Sequence, residues 1–168
     1  MTFNEAQGYV KGSKWVIDQQ GNKLASITLS LSPRQKFRIS MIDANANVFV
    51  LDVYHSGQVG VKMSFHLRDT NSEGLVRLDY NGYHANPAPY TEDVPEVFKP
   101  YEGEIFDAKS HLHLYVEGYG LDWALPIEDT EIDPKTINAT DPTQGFKDAF
   151  SGFCKYLNLK SEVVLDIR

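Results

Sequence analysis

Polar and apolar residues alternate with a period of two through one run after another of this chain, and that pattern decides its class of fold. Ile27, Leu29 and Leu31 alternate with Thr28 and Ser30. Phe37, Ile39 and Met41 alternate with Arg38 and Ser40. Val48 to Tyr54 follows, with Asp52 on one face. Val61, Met63, Phe65 and Leu67 then alternate with Lys62, Ser64, His66 and Arg68. Side chains two apart on a strand share a face, so each run reads as a strand with one apolar side. The breaks between runs, such as Pro33, Asp43 to Asn47 and Asp69 to Gly74, are short and carry turn chemistry. Consecutive strands with short connections predict an antiparallel meander.

The ends of the chain read differently. Thr2 and Glu5 form a capping-box pattern, which predicts a short helix before Trp15-Val16-Ile17, although Gly8 and Gly12 weaken it. Near the other end Asp141 is a good N-cap with Pro142 behind it. Phe146, Phe150, Phe153 and Leu157 recur at helical spacing, which predicts an amphipathic helix that closes one face of the sheet. Val163, Leu165 and Ile167 suggest a last short strand, and Trp123 to Ile127 another. Residues 81–110 carry Pro87, Pro89, Pro95 and Pro100, so regular structure is not expected there. The fold class expected is α+β: one domain, 1–168, with a twisted antiparallel sheet of about six or seven strands and a C-terminal helix packed on one face.

Composition narrows the function. The 168 residues carry a formal net charge of -7. That opposes broad, sequence-blind contact with nucleic-acid backbone while leaving room for a small cationic site. The single Cys154 cannot form an internal disulfide and reads as a buried, inert thiol. With no apolar run of membrane length and no secretory pattern at Met1-Thr2-Phe3-Asn4-Glu5, a cytoplasmic location is expected.

The chemistry-bearing residues collect on two runs, Arg77-Leu78-Asp79 and His111-Leu112-His113-Leu114-Tyr115-Val116-Glu117. If Leu112, Leu114 and Val116 face the core, then His111, His113, Tyr115 and Glu117 stand on the other face. His84 and Asn86 open the long loop directly after Arg77 and Asp79. The bland reading is a solvated sheet face, and it suits His66 and Arg68. A histidine pair with an arginine is also the set that cleaves a phosphodiester without a metal. One imidazole takes the 2'-hydroxyl proton, the other protonates the leaving oxygen, and the guanidinium holds the charged phosphorane. Tyr115 would position the phosphate and Asp79 would fix an imidazole tautomer. The competing chemistry is a metal held by His111, His113 and Glu117, whose spacing looks like part of the cupin signature.

The ordered set Leu75-Val76-Arg77-Leu78-Asp79-Tyr80-Asn81-Gly82, His84-Ala85-Asn86-Pro87, His111 through Tyr119, Trp123-Ala124 and Phe153-Cys154-Lys155-Tyr156 resembles a family of uncharacterised small proteins from bacteria and phages. Where that family continues with Asp-Gly after its His-x-Asn-Pro, this chain has Ala88-Pro89. The resemblance implies a grouping of residues and no reaction.

The function expected is therefore a metal-independent endoribonuclease of the small toxin-module type, with RNA as partner and no cofactor. His111 and His113 would be its acid/base pair, Arg77 its phosphate clamp, and Asp79, His84 and Tyr115 the supporting groups. The alternative is a non-catalytic acidic protein, such as a phage-encoded inhibitor, that binds a cognate nucleic-acid-binding partner. Glu128, Asp129 and Glu131 would belong to its contact surface.

Overall fold

The computed structural model describes residues 1–32, 36–55 and 62–167. Pro33 and Val61, a break and a strand start in the sequence, lie outside them. In chain order the elements are α1 (Phe3–Lys11), β1 (Lys14–Val16), β2 (Ser26–Leu31), β3 (Lys36–Asp43), β4 (Val48–His55), β5 (Met63–Asp69), β6 (Gly74–Ala85), β7 (Ile105–Leu114), β8 (Ala124–Pro126), α2 (Pro142–Tyr156) and β9 (Glu162–Ile167). The fold is α+β. A seven-stranded antiparallel sheet runs in the order β1-β3-β4-β5-β6-β7-β8.

The period-two pattern becomes rows across this sheet. Phe37 pairs with Val53, Val53 with Phe65, Phe65 with Leu78, Leu78 with Leu112 and Leu112 with Leu125. This face meets α2, where Phe65 lies against Phe146, Phe150 and Phe153 at centroid distances of 6.1, 6.0 and 5.6 Å. The helix begins where the caps place it, with the Asp141 side chain accepting from the Gln144 N–H. Gly152 permits a close crossing: a Cβ there would stand 1.7 Å from the Asp133 carbonyl oxygen.

At the start of the chain the capping box forms as its sequence predicts, Thr2 and Glu5 each answering the other's backbone N–H. Buried Lys14 donates to the carbonyls of Val10 and Gly12 beside the end of α1, and to Leu157 at the end of α2. One ammonium thus ties both helix C-termini to edge strand β1. Burial pushes its pKa down to about 8.

Two expectations are corrected. The run 26–31 does not join the meander. As β2 it pairs in parallel with β9, Ile27 beside Val163 and Leu29 beside Leu165, in a separate two-stranded sheet. Alternation reports that a strand is half-buried, not which neighbour it takes, and here a chain-distant strand offers the matching apolar side. Residues 81–110 are not structureless. Strand β6 continues to Ala85, β7 begins at Ile105, and a 3-10 turn spans Glu96–Tyr101 between them. Phe98 anchors that turn, its ring 5.8 Å from Trp123 and 6.2 Å from Phe3. The prolines limit regular structure to short pieces; buried aromatic contacts hold those pieces in place.

Because Phe150 is buried between β3 and β5 through Phe37 and Phe65, Phe150→Ala is expected to destabilise the fold by ~3–5 kcal/mol. Urea unfolding checks this. A change below about 1 kcal/mol, ordinary for a surface substitution, would show that α2 does not close the core.

Candidate functional site

The opposite face of the sheet carries a polar row in direct register. Arg38 pairs with Asp52, Asp52 with His66, His66 with Arg77 and Arg77 with His113. The next row brings Ser64, Asp79 and His111 side by side. Arg77, Asp79, His111 and His113 therefore come together, as their parity on β6 and β7 predicts.

Their environment is not the solvated face that alternation suggested. His111 and His113 are both 0% exposed. The cover comes from the hairpin itself. Its β6–β7 register shifts between Asp79 and Gly82, and Asn81 takes the left-handed φ of 55°. Beyond this bulge the hairpin brings His84 and Phe106 onto the cluster. The His84 ring centroid lies 4.5 Å from that of His113, and the Phe106 ring stacks 4.8 Å from His111. A Cβ on Gly82 would stand 3.2 Å from His111 Cε1, so the Asn-Gly pair bends the strand and leaves room for the imidazole. The turn after β7 completes the cover, because Leu121 and Asp122 present their carbonyls to His113 and His84.

Each ring has a defined orientation. His113 Nδ1 donates to the Leu121 carbonyl at 2.7 Å, and His111 Nδ1 to the Lys109 carbonyl at 2.8 Å. Both Nε2 atoms then point at Asp79 Oδ2, at 3.2 Å from His113 and 3.6 Å from His111. Arg77 closes the group, with Nε 2.9 Å from Asp79 Oδ2 and an Nη nitrogen 2.9 Å from His113 Nε2. His84 Nε2 lies between two acceptors, Asn86 Oδ1 at 3.1 Å and the Asp122 carbonyl at 2.9 Å. The Asn86 side chain also donates to the carbonyls of Tyr101 and Ala124 and accepts from the Ala124 N–H. The His-x-Asn pair is thus a clamp between hairpin, loop and β8.

Two of the residues expected at the site stand apart. Strand β7 ends at Leu114, and Tyr115 binds backbone to backbone with Leu75. Its buried side chain packs in the core, and its hydroxyl pKa is raised by burial and by the charges of Glu73, Glu117 and Glu5. That is a neighbourhood of acids rather than of the histidines. Glu117 is exposed beyond the strand end. The metal set expected from spacing is corrected accordingly: among the described residues the three donors that converge are Asp79, His111 and His113, all within 4.8 Å of one another. Alternation stops where the strand stops, and the sequence does not mark that point.

An open groove of about 490 Å3 lies beside the buried cluster, and His66, which the sequence suited to a solvated face, lines it. Lys36, Arg38, Asp52, Tyr54, His66 and Arg77 border it. Asp52 is held between Arg38 Nε at 2.6 Å and Arg68 Nε at 2.7 Å. Arg77, with 35% of its side chain exposed, bridges groove and cluster. Lys36 and Arg38 share the strand parity that puts them on the face of Arg77, and that parity is the signal the sequence offers for the groove.

A family model described as a family of unknown function, DUF6978, matches residues 1–159. The chain belongs to this family. No curated protein and no solved structure matches it. No helix among the described residues is long and apolar enough to cross a membrane.

The electrostatics of this DUF6978 chain follow from burial. Burial alone would raise the Asp79 carboxyl, but the Arg77 charge and a hydrogen bond from Ser64 hold it well below the usual carboxylate range. Burial lowers His111 to about 4, against the donation to Lys109 that opposes it. His84 and His66 are lowered too, chiefly by burial. Cys154, expected to be inert, has its thiol pushed up to about 12 by burial.

A depressed histidine pKa has a definite consequence for stability. Between pH ~6.5 and the folded value of about 4, the unfolded chain takes up a proton at residue 111 that the folded chain refuses. Stability contributed above pH ~6.5 therefore falls away as pH drops through this window, by at most about 1.4 kcal/mol per pH unit for one such group. Urea unfolding from pH 7 to 4.5 should show a shallower fall for His111→Gln than for the unaltered chain. Equal slopes would show that His111 is not held neutral.

Proposed function

We propose that this protein binds RNA in the groove on β3–β6, with Lys36, Arg38 and Arg77 taking the phosphates. The observation that carries this reading is the gathering of Lys36, Arg38 and Arg77 along a single groove, with the carboxylate of Asp52 in its lining and that of Asp79 behind Arg77, on a chain of net charge -7. Phosphate contacts draw their affinity from such local charge. Tyr54, at 37% exposed, adds an aromatic face on which a base can stack. Asp79 and His113 orient Arg77 from behind, which lowers the ordering cost of a phosphate clamp.

Metal-independent cleavage is the stronger form of the same reading. The imidazole that lines the groove beside Arg77 is His66. His111 and His113, buried as they stand, would act as acid and base only if His84, Phe106 and the turn at 117–122 moved aside; otherwise they serve as positioning residues. In a bacterial or phage toxin module this cleavage would be the toxic step. The binding form needs none of that movement, so we rank it first. The inhibitor reading has less support, because Glu131 pairs with Lys11 and Asp129 accepts from Tyr101 within the same chain.

The test is fluorescence anisotropy with single-stranded RNA in chelator, at several salt concentrations. Lys36→Ala and Arg38→Ala should each weaken binding several-fold. Each should also flatten the slope of log affinity against log salt by about 0.7 for every phosphate that the variant no longer neutralises. The same mixtures run on a gel distinguish the two forms. Shortened RNA, with the 2'-deoxy strand left intact, identifies the nuclease. Bound and intact RNA identifies the binding protein. RNA neither bound nor cut overturns both and favours a protein partner.

A further inference from the structure

Asp79, His111 and His113 present three donor atoms to one point, and that convergence goes beyond what orienting Arg77 requires. We propose that they form a binding site for one first-row divalent transition ion, of the zinc or cobalt kind, and that the Arg77 guanidinium occupies part of that site when the ion is absent.

Geometry supports this in three ways. First, the carboxylate already lies near the spacing a small ion needs from each imidazole, and the two imidazoles would draw together by a small ring shift as the ion binds. Bonds of ~2.0–2.1 Å to nitrogen and carboxylate oxygen put neighbouring donors roughly 3–3.4 Å apart. Asp79 Oδ2 lies 3.2 Å from His113 Nε2 and 3.6 Å from His111 Nε2, and the three donor atoms lie within 4.8 Å of one another. Second, both rings are oriented as metal ligands usually are. Each donates Nδ1–H to a backbone carbonyl, Lys109 for His111 and Leu121 for His113, which leaves Nε2 facing Asp79. Third, His111 Nε2 is fully buried and has no hydrogen-bond partner. A buried acceptor aimed at a carboxylate oxygen is an unfavourable pairing that a cation between them would resolve.

Arg77 fits the same logic. Its guanidinium bonds two of the three donors, Asp79 Oδ2 and His113 Nε2, so it supplies positive charge where the ion would. Ion and guanidinium exclude each other. Because Asp79 and Arg77 reach the surface while both histidines do not, the ion would enter from the groove as Arg77 swings out. Two imidazoles and one carboxylate select borderline ions over magnesium or calcium, which demand oxygen ligands. One or more positions on the ion would remain open on the groove side. This site does not depend on RNA binding, and its test contains no RNA.

Chelator-stripped protein is titrated with Zn2+ by calorimetry and with Co2+ by visible absorption, with circular dichroism as the check on folding. One ion per chain is expected, with no uptake of Mg2+ at the same concentration. His111→Gln and Asp79→Asn should each weaken Zn2+ binding by at least about 10-fold. Arg77→Met, which removes the competing cation, should strengthen it by a similar factor. If His111→Gln or Asp79→Asn fails to fold, the Arg77→Met comparison and the Co2+ spectrum of the unaltered chain decide. The proposal is overturned by absence of uptake in the unaltered chain, even if Arg77→Met binds. It is equally overturned by binding that survives both ligand substitutions, which would place the ion elsewhere.

Discussion

A carboxylate withdrawn from water must be answered by donors or positive charge, and groups from three neighbouring strands meet at Asp79. Ser64 reaches it from β5, Arg77 lies two residues away on its own strand, and the imidazoles of His111 and His113 approach from β7. This arrangement depends on the pairing of β5, β6 and β7 in one register. A slip of one residue between β6 and β7 would send the histidines to the face packed against α2 and leave Asp79 without them. The register is held from the other face, where Leu78 lies between Phe65 and Leu112. Core packing and polar cluster thus specify the same alignment from opposite sides of one sheet.

The cover over the cluster is equally a consequence of local chemistry. The bulge at Asn81-Gly82 turns the hairpin, His84 and Phe106 close over the imidazoles, and Asn86 fastens the bend to β8. Arg77 spans from the covered cluster to the open groove. That division suggests two roles for one polar face: an exposed cationic surface for contact, and a buried donor set behind it that holds a guanidinium or an ion. Exchange between those two occupants would change the charge that the groove presents, so the ion site and the contact surface would communicate through a single side chain.

Much of the fold was legible in the chain because half-buried strands and amphipathic helices leave periodic records. The capping box at Thr2, the Asp141-Pro142 start of α2 and the Phe146, Phe150 and Phe153 stripe all carry their cause in adjacent residues. So does the shared face of Arg77, Asp79, His111 and His113. What periodicity does not carry is partner choice. The run 26–31 alternates like its neighbours, yet it pairs with β9 from the far end of the chain. The proline-rich stretch holds its shape through Phe98 and Asn86, whose partners Trp123 and Ala124 lie well along the chain beyond β7.

Spacing alone was enough to establish an α+β chain with an antiparallel sheet, a closing helix and one polar face bearing two histidines, an arginine and an aspartate. Spacing is local, and so are those features. The burial of the histidines, the departure of Tyr115 from their company, and the choice of Asp79 rather than Glu117 as the carboxylate beside them came from the folded chain. Each of those outcomes depends on where a strand ends and which distant segment lies over it, and neither is encoded in the alternation of the strand itself.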